Sequence, residues 1–306
     1  MRLLITGGTG FIGRALCQAL TQHGHELVIL SRRVDELPPF AGVSFLSWES
    51  SAWPRAAQGC DGVVNLAGES IVAKRWSAQQ KAVIRDSRLS TTRRLIEAMA
   101  NWSKRPAAFV SASAIGYYGP RGDEQLTEAD EPGGGFLADV CRAWEAEALR
   151  AESLGVRVVR VRIGLVLGRG GGALAKMVPP FQWWVGGPLG TGRQWMSWIH
   201  LDDVVGLIEW ALSTPLIQGA VNATAPTPVT MREFCRCLGE VLHRPSWAPV
   251  PAFILRSLLG EMAEMLLTGQ RVTPHVALQR SYPFRHPTLL PALQACLTPR
   301  AVASAA

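Results

Sequence analysis

Gly7, Gly10 and Gly13 stand in the stretch Thr6-Gly7-Gly8-Thr9-Gly10-Phe11-Ile12-Gly13, the spacing with which a strand turns into a helix around a diphosphate. In such a turn the first glycine permits the tight bend. The second lets the backbone approach the pyrophosphate with no Cβ in the way, and the third lets the helix pack close to its sheet. Amide N–H groups at the helix start then face the phosphates, helped by the helix dipole. A glycine triplet alone is weak evidence and also suits a purely structural turn. Here an apolar run (Leu3, Leu4, Ile5) precedes it and an apolar helix face (Phe11, Ile12, Ala15, Leu16, Ala19, Leu20) follows, the context a dinucleotide site requires.

The tip of the second strand selects the dinucleotide. A carboxylate there would bond the ribose 2′-hydroxyl of NAD. This chain has Ser31-Arg32-Arg33, with no acid before Asp35. A guanidinium offers a fork to a 2′-phosphate and a plane for adenine, and a hydroxyl adds a donor. The predicted cofactor is therefore NADP(H); a one-residue shift of register exchanges the roles of Arg32 and Arg33.

The elements that must hold these groups alternate. Strands are predicted at 26–30, 43–48, 61–66, 107–111 and 156–163. Helices are predicted at 77–102, with Ser77 as N-cap, at 137–153 and at 204–212. Strands separated by helices predict an α/β chain with a doubly wound parallel sheet of the Rossmann kind. From residue 168 the rhythm changes to Gly, Pro and Trp, with Trp183, Trp184, Trp195 and Trp198 among them. That mixture predicts irregular loops wrapped around a pocket, their indoles also filling core. Short helices are expected at 251–259 and 261–267. The expected division is a nucleotide-binding domain over 1–220 and a small helical domain over 245–300.

Bulk properties bound the function. The chain has 306 residues, 48% of them hydrophobic, enough for a large core. No apolar run approaches the ~20 residues of a membrane span, so a cytoplasmic protein with no membrane partner is expected. The net charge is +7, but arginine is spread along the chain rather than gathered in a block, which argues against nucleic acid. Six scattered cysteines lack zinc-site spacing and read as reduced thiols in or near the core, with no metal.

Four motifs together resemble the extended short-chain dehydrogenase/reductases of the NAD-dependent epimerase/dehydratase family. They are the turn at residues 6–13, Asn65-Leu66-Ala67-Gly68, the stretch Ser111-Ala112-Ser113-Ala114-Ile115-Gly116-Tyr117-Tyr118-Gly119, and Trp198-Ile199-His200-Leu201-Asp202-Asp203-Val204. More narrowly, Glu69 after that Asn-Leu-Ala-Gly, Arg85-Asp86-Ser87-Arg88, Gly164-Leu165-Val166-Leu167-Gly168 and Gly186-Gly187-Pro188 resemble the atypical YfcH-like epimerase family proteins, which carry a C-terminal domain of unknown function. The resemblance spans essentially the whole chain. It implies NADP(H) at the carboxyl ends of the strands, with Gly7, Thr9, Gly10, Phe11, Ile12, Gly13, Leu66, Ala67 and Gly68 lining it. It also implies that Arg88 reaches the cofactor and that Val166 lies near the nicotinamide.

The catalytic pattern of that superfamily is incomplete here. A Tyr-x-x-x-Lys pair on the helix after the fifth strand would place a proton donor and a cation on one face. The corresponding stretch contains neither residue, and the best register puts Leu137 and Cys141 there. Ser113 is the nearest match to the family hydroxyl, with Ser111 as the competing register. Tyr117 and Tyr118 are the candidate proton donors of a rearranged site; the alternative is that they pack its wall. His200 is expected in a structural role, oriented by Asp202 and Asp203 as they cap the next helix. Two functions fit: an NADP(H)-dependent oxidoreductase or epimerase-like enzyme acting on an unidentified small molecule, or a non-catalytic NADP(H)-binding redox sensor or scaffold. The resemblance allows a monomer or a homodimer built on the two long helices.

Overall fold

The computed structural model describes residues 1–32, 34 and 42–298. Arg33 lies outside them. Seven strands form one parallel sheet: β1 (Arg2–Thr6), β2 (Glu26–Ser31), β3 (Val43–Ser47), β4 (Gly62–Asn65), β5 (Ala108–Ala114), β6 (Arg157–Ile163) and β7 (Gly219–Ala223). Their order is β7-β6-β5-β4-β1-β2-β3. The order reverses between β1 and β4, and that switch point is where a doubly wound sheet opens its crevice.

Helices cover both faces. On one, α1 (Phe11–Gln22) and α5 (Leu201–Ser213) bury Leu16, Leu20, Val204 and Ile208 against Leu3, Ile5 and Val161. On the other, α2 (Ala78–Ala100) and α3 (Phe136–Leu149) bury Leu95, Ile96, Met99 and Ala148 against Leu4, Val63, Phe109 and Val158. Near-continuous apolar runs in the central strands follow from this two-sided burial. Ser77 caps α2 as expected, its Oγ accepting the Gln80 amide at 3.1 Å.

Several elements differ from the sequence reading. β5 runs to Ala114, so Ser111 and Ser113 lie within it and share one face of the strand. The β7 segment, Gly-Ala-Val-Asn-Ala, has too few bulky residues to announce a strand; pairing with β6 at the sheet edge makes it one. Residues of the expected loop region form α4 (Leu174–Gln182) despite Pro179 and Pro180. Its Leu174 and Phe181 pack with α6 (Met231–Leu242) and a C-terminal helix (Leu289–Leu297) in a separate core around Trp198. Trp198 is a core residue and Trp183 is 75% exposed, so the indoles of this region do not act as one pocket wall. All six cysteines are buried free thiols. Among the described residues, no helix is long and apolar enough to cross a membrane.

Candidate functional site

The turn after β1 takes its shape from its glycines. Gly7 has φ +70°, and a Cβ there would sit 2.6 Å from the Leu66 carbonyl group. A Cβ on Gly13 would sit 2.1 Å from Gly7 O, whereas one on Gly10 would meet only Gly7 O, at 3.2 Å. The first two are therefore close-packing positions. The third is the open one, where an approaching ligand meets bare backbone. Gly10 caps α1 through its backbone alone, and the first turn contains no acid. The first intrahelical bond is Arg14 N–H to Gly10 O at 2.9 Å, which leaves the amides of Phe11, Ile12 and Gly13 aimed out of the helix end. Thr9, Phe11 and Ile12 are half-buried around this opening.

The neighbouring strand end is tied to it. Thr6 Oγ1 donates to Asn65 Oδ1 at 2.7 Å, and the Leu66 amide donates to Thr6 O at 3.1 Å. Asn65 Nδ2 donates to Thr92 Oγ1 at 2.9 Å, which also accepts from Trp144 Nε1 at 3.0 Å. Leu66, Ala67 and Gly68 therefore leave the sheet beside the glycine turn along a path held from α2 and α3. Ser31 ends β2, one residue past the partner of Thr6, and Arg32 is exposed beyond it. Both lie at the same end of the sheet as the turn.

Arg88 reaches this crevice from α2. Its guanidinium packs on Gly68, where a Cβ would be 3.0 Å from Cζ, and lies 5.2 Å from the Trp144 ring centroid. Among the described residues its hydrogen bond runs to Ile84 O at 2.8 Å and no carboxylate pairs with it. Burial lowers its pKa, with weak opposition from Cys141 and Glu69. The Glu69 amide donates to Ser87 Oγ at 3.0 Å, which joins the Asn-Leu-Ala-Gly-Glu and Arg-Asp-Ser-Arg motifs into one unit and delivers the arginine to the strand end.

The glycine-rich stretch after residue 167 covers the other side. Cβ atoms on Gly168, Gly171 and Gly172 would lie 2.9, 2.5 and 2.9 Å from the Phe11 ring. Those glycines exist to pass over Phe11. Val166 is half-buried in a short strand (Leu165–Leu167) paired in parallel with Trp198–His200, at the C-terminal side of β6.

On α3, Leu137 and Cys141 face the expected position. A Cβ on Gly116 would lie 3.3 Å from Leu137 Cβ and 3.9 Å from Cys141 Sγ. Burial, then Glu145, pushes the Cys141 thiol up to about 11, so it is no thiolate. Glu145, one turn further along the same face, is the hub of a buried network that sequence reasoning missed. It accepts from Ser113 Oγ at 2.7 Å, Arg162 Nε at 2.8 Å, Arg162 Nη2 at 3.0 Å and Arg160 Nη1 at 2.9 Å. Arg162 Nη1 donates to Tyr118 Oη at 2.9 Å, and Tyr118 Oη donates to Asn222 Oδ1 at 2.7 Å. Arg160 and Arg162 within the otherwise apolar middle of β6 and an acid on a buried helix face were the available signals.

The candidate donors separate on this evidence. Ser113 is buried, with its hydroxyl turned to Glu145. Tyr118 is fully buried and its hydroxyl is committed at both lone pair and proton; burial pushes its pKa up to about 12 against the pull of Arg162 and Asn222. As placed, it braces the site and is not presented to a ligand. Tyr117 is half-buried in the short helix Ile115–Tyr118, with the Arg162 guanidinium 3.5 Å from its ring centroid. Among the described residues its hydroxyl has no partner.

His200 differs from expectation. The histidine itself caps α5, Nδ1 accepting the Asp202 amide at 3.1 Å. Asp203 instead accepts the amides of Arg285 at 2.7 Å and His286 at 2.9 Å. The His200 and His286 rings stack at 3.8 Å. Ligand atoms of His200, Asp202 and His286 lie within 4.8 Å of one another, but His200 Nδ1 is spent on the helix cap, and the group locks the C-terminal segment to the sheet.

Seven parallel strands with helices on both faces, and a glycine turn at the switch point, define the Rossmann class. The chain matches the NAD dependent epimerase/dehydratase family over residues 3–223 and a domain of unknown function, DUF1731, over 250–296. It belongs to the NAD dependent epimerase/dehydratase family. It is 45% identical to the chloroplastic homologue of epimerase family protein SDR39U1 from Arabidopsis thaliana, over 97% of this chain and 87% of that protein. It is 37% identical to epimerase family protein YfhF of Bacillus subtilis, over 98% of this chain and 99% of that one. Among solved structures, human epimerase family protein SDR39U1 (isoform 2) with NADPH superposes with a TM-score of 0.89 at 36% identity, covering 97% of this chain and 99% of that one.

Proposed function

We propose that this protein binds NADP(H) in the crevice between β1 and β4 and is an oxidoreductase or epimerase-like enzyme acting on a small carbonyl or hydroxyl compound. The observation that carries the reading is the glycine turn. Its outward amides and its bare Gly10 lie at the strand ends where the half-buried Arg88 guanidinium packs on Gly68, and among the described residues that guanidinium has no carboxylate hydrogen-bonded to it. The NADPH in the human relative's structure supports the same choice. The residues fit the cofactor: Gly7 and Gly13 keep the cradle clear, and Phe11, Ile12 and Gly13 offer amides to the diphosphate. Ser31 and Arg32 stand where a 2′-phosphate would lie. When bound, NADPH supplies a hydride. Arg88 does the work of the absent lysine, its fork donating to ribose hydroxyls or to the reacting oxygen from a different helix. Tyr117 Oη gives or takes the proton at that oxygen, its ring held against Arg162.

Titration with NADPH and NADH tests the binding half. Tight NADPH binding with clearly weaker NADH binding is expected; no affinity, or a preference for NADH, overturns it. Oxidation of bound NADPH across aldehydes, ketones, quinones and nucleotide sugars tests the chemistry. Turnover should survive Cys141→Ala and fall sharply in Tyr117→Phe. The commitment of Ser113 and Tyr118 to Glu145 and Asn222 favours a second reading, a non-catalytic NADP(H) sensor, which tight binding without turnover of any substrate would select.

A further inference from the structure

The surface just past α4 is built from indoles and arginines held in a fixed frame. Trp183, Trp184 and Val185 are 75, 56 and 52% exposed, and Trp247 is 66% exposed. Trp184 has φ +65°, a left-handed conformation that a bulky residue adopts only at a cost. The turn is nonetheless firmly bonded. Trp247 Nε1 donates to Trp184 O at 3.0 Å and the Trp247 amide donates to Gly186 O at 3.1 Å. The chain thus pays for a conformation that keeps three large apolar rings in water, and a contiguous apolar patch of this kind marks a contact surface.

A cavity of about 780 Å³ opens beside Trp247, lined by Arg232, Arg236, Arg244, Thr191 and Ser246. Arg236 pairs with Glu240 at 3.2 Å. Arg232 donates to Thr191 O at 3.2 Å, and Arg244 donates to His243 O at 2.9 Å with its Cζ 4.5 Å from the Trp184 ring. Arg244 Nε is buried without a partner. Glu233, on α6 with Arg232 and Arg236, is the other acid of that helix besides Glu240. Among the described residues neither Arg232 nor Arg244 has a carboxylate partner, so the cavity presents two uncompensated guanidinium groups.

We propose that this face docks on an anionic phospholipid bilayer. A headgroup phosphate enters the cavity between Arg232, Arg236 and Arg244, while Trp183, Trp184 and Trp247 settle at the level of the headgroups. Guanidinium forks match phosphate oxygens. Indoles favour the boundary between water and hydrocarbon, where ring and N–H are both satisfied. An acidic peptide is the weaker fit, because the apolar rings stand out from the surface and form neither a groove for a helix nor an edge for a strand. The sequence expectation of no membrane partner rested on the absence of a spanning segment, which does not bear on surface docking.

Co-sedimentation of the full-length protein with vesicles tests the proposal. An equal mixture of phosphatidylglycerol and phosphatidylcholine should bind the protein about thirtyfold more tightly than phosphatidylcholine alone, as two uncompensated cations near an anionic surface imply. High salt should erase the difference. Arg232→Gln with Arg244→Gln should abolish the preference for anionic vesicles, and Trp183→Ala with Trp247→Ala should weaken binding to both compositions about tenfold. Arg232, Trp183 and Trp247 are exposed and Arg244 is half-buried away from the glycine turn, and NADPH affinity should be unchanged in every variant, so the outcome is separate from that of the cofactor reading. No vesicle binding, or binding indifferent to both double variants, overturns the proposal. So does inorganic phosphate or a polyglutamate peptide binding the arginine cavity while vesicles do not, or a dimer that is lost in the tryptophan variant without any vesicle binding.

Discussion

The cation that acts on Cys141 comes from α2, not from α3 where a lysine would sit four residues after a tyrosine. Arg88 is partly desolvated, leans on Gly68 and Trp144, and among the described residues has no carboxylate paired with it, Glu69 acting only at a distance. A charge-assisted hydrogen bond from such a group contributes roughly 1.5–3 kcal/mol. Arg88→Met should therefore weaken NADPH binding by about ten- to a hundredfold in a fluorescence titration, with Arg88→Lys recovering part of it. The two adjacent tyrosines should behave oppositely. Tyr118→Phe removes the donor to Asn222 and the acceptor of Arg162 in a sealed interior, so it should lower the melting temperature and leave NADPH binding intact. Glu145 stands apart from both. It neutralises Arg162, whose charge burial disfavours and this carboxylate sustains, and it also holds Arg160. Glu145→Gln leaves the buried Arg162 and the half-buried Arg160 short of their counter-ion and should cost about 3–5 kcal/mol in denaturant unfolding.

At the level of elements, the glycine stretch crosses α1 in close contact at the edge of the crevice. A Cβ on Gly171 would lie 2.5 Å from the Phe11 ring, so the ring or the loop would have to shift. Gly171→Ala should destabilise the fold by roughly 1–3 kcal/mol and weaken NADPH binding with it. Phe11→Leu in that background should restore part of both losses, a coupling that a double-mutant cycle reads directly. This contact was not legible beforehand. The glycines signalled a loop, and nothing local says that their missing side chains make room for a phenyl ring more than 150 residues earlier. The turn at residues 6–13 was legible, because backbone sterics within eight residues dictate it. The Ser77 cap was legible for the same reason.

Across the whole molecule, two largely desolvated carboxylates fasten the C-terminal segment to α5 and β7. Asp203 holds the Arg285 and His286 amides. Glu128 Oε1 accepts the amides of Asn222 on β7 at 2.9 Å and of Val276 at 3.2 Å, while its Oε2 is buried without a partner. Burial raises the Glu128 pKa, with those amides pulling the other way, and burial raises that of Asp203. A carboxyl whose folded pKa lies above its unfolded value binds its proton more tightly when folded. Its contribution is fully present below the unfolded pKa and is lost as the pH rises through the raised folded pKa. Glu128→Gln keeps an acceptor for both amides and removes the charge. It should raise the melting temperature at neutral pH by a few degrees, roughly what 1 kcal/mol is worth in a chain of this size. The gain should shrink as the pH falls through the raised folded pKa and vanish only below the unfolded one.

What could be read from the chain alone was whatever a few consecutive residues impose on their own backbone: the glycine turn, the helix start at Ser77, the alternation that makes a doubly wound sheet, and the basic tip of β2. Those depend on sterics, capping and periodicity, which act over one or two turns. The tertiary structure decided how distant segments divide the work. It brought Arg88 beside Gly68, gave Glu145 three partners from two strands, buried Tyr118 while leaving Tyr117 accessible, and made Gly-Ala-Val-Asn-Ala a strand by giving it a neighbour. Each depends on which surfaces meet when the sheet closes, and that is a property of packing among residues tens of positions apart.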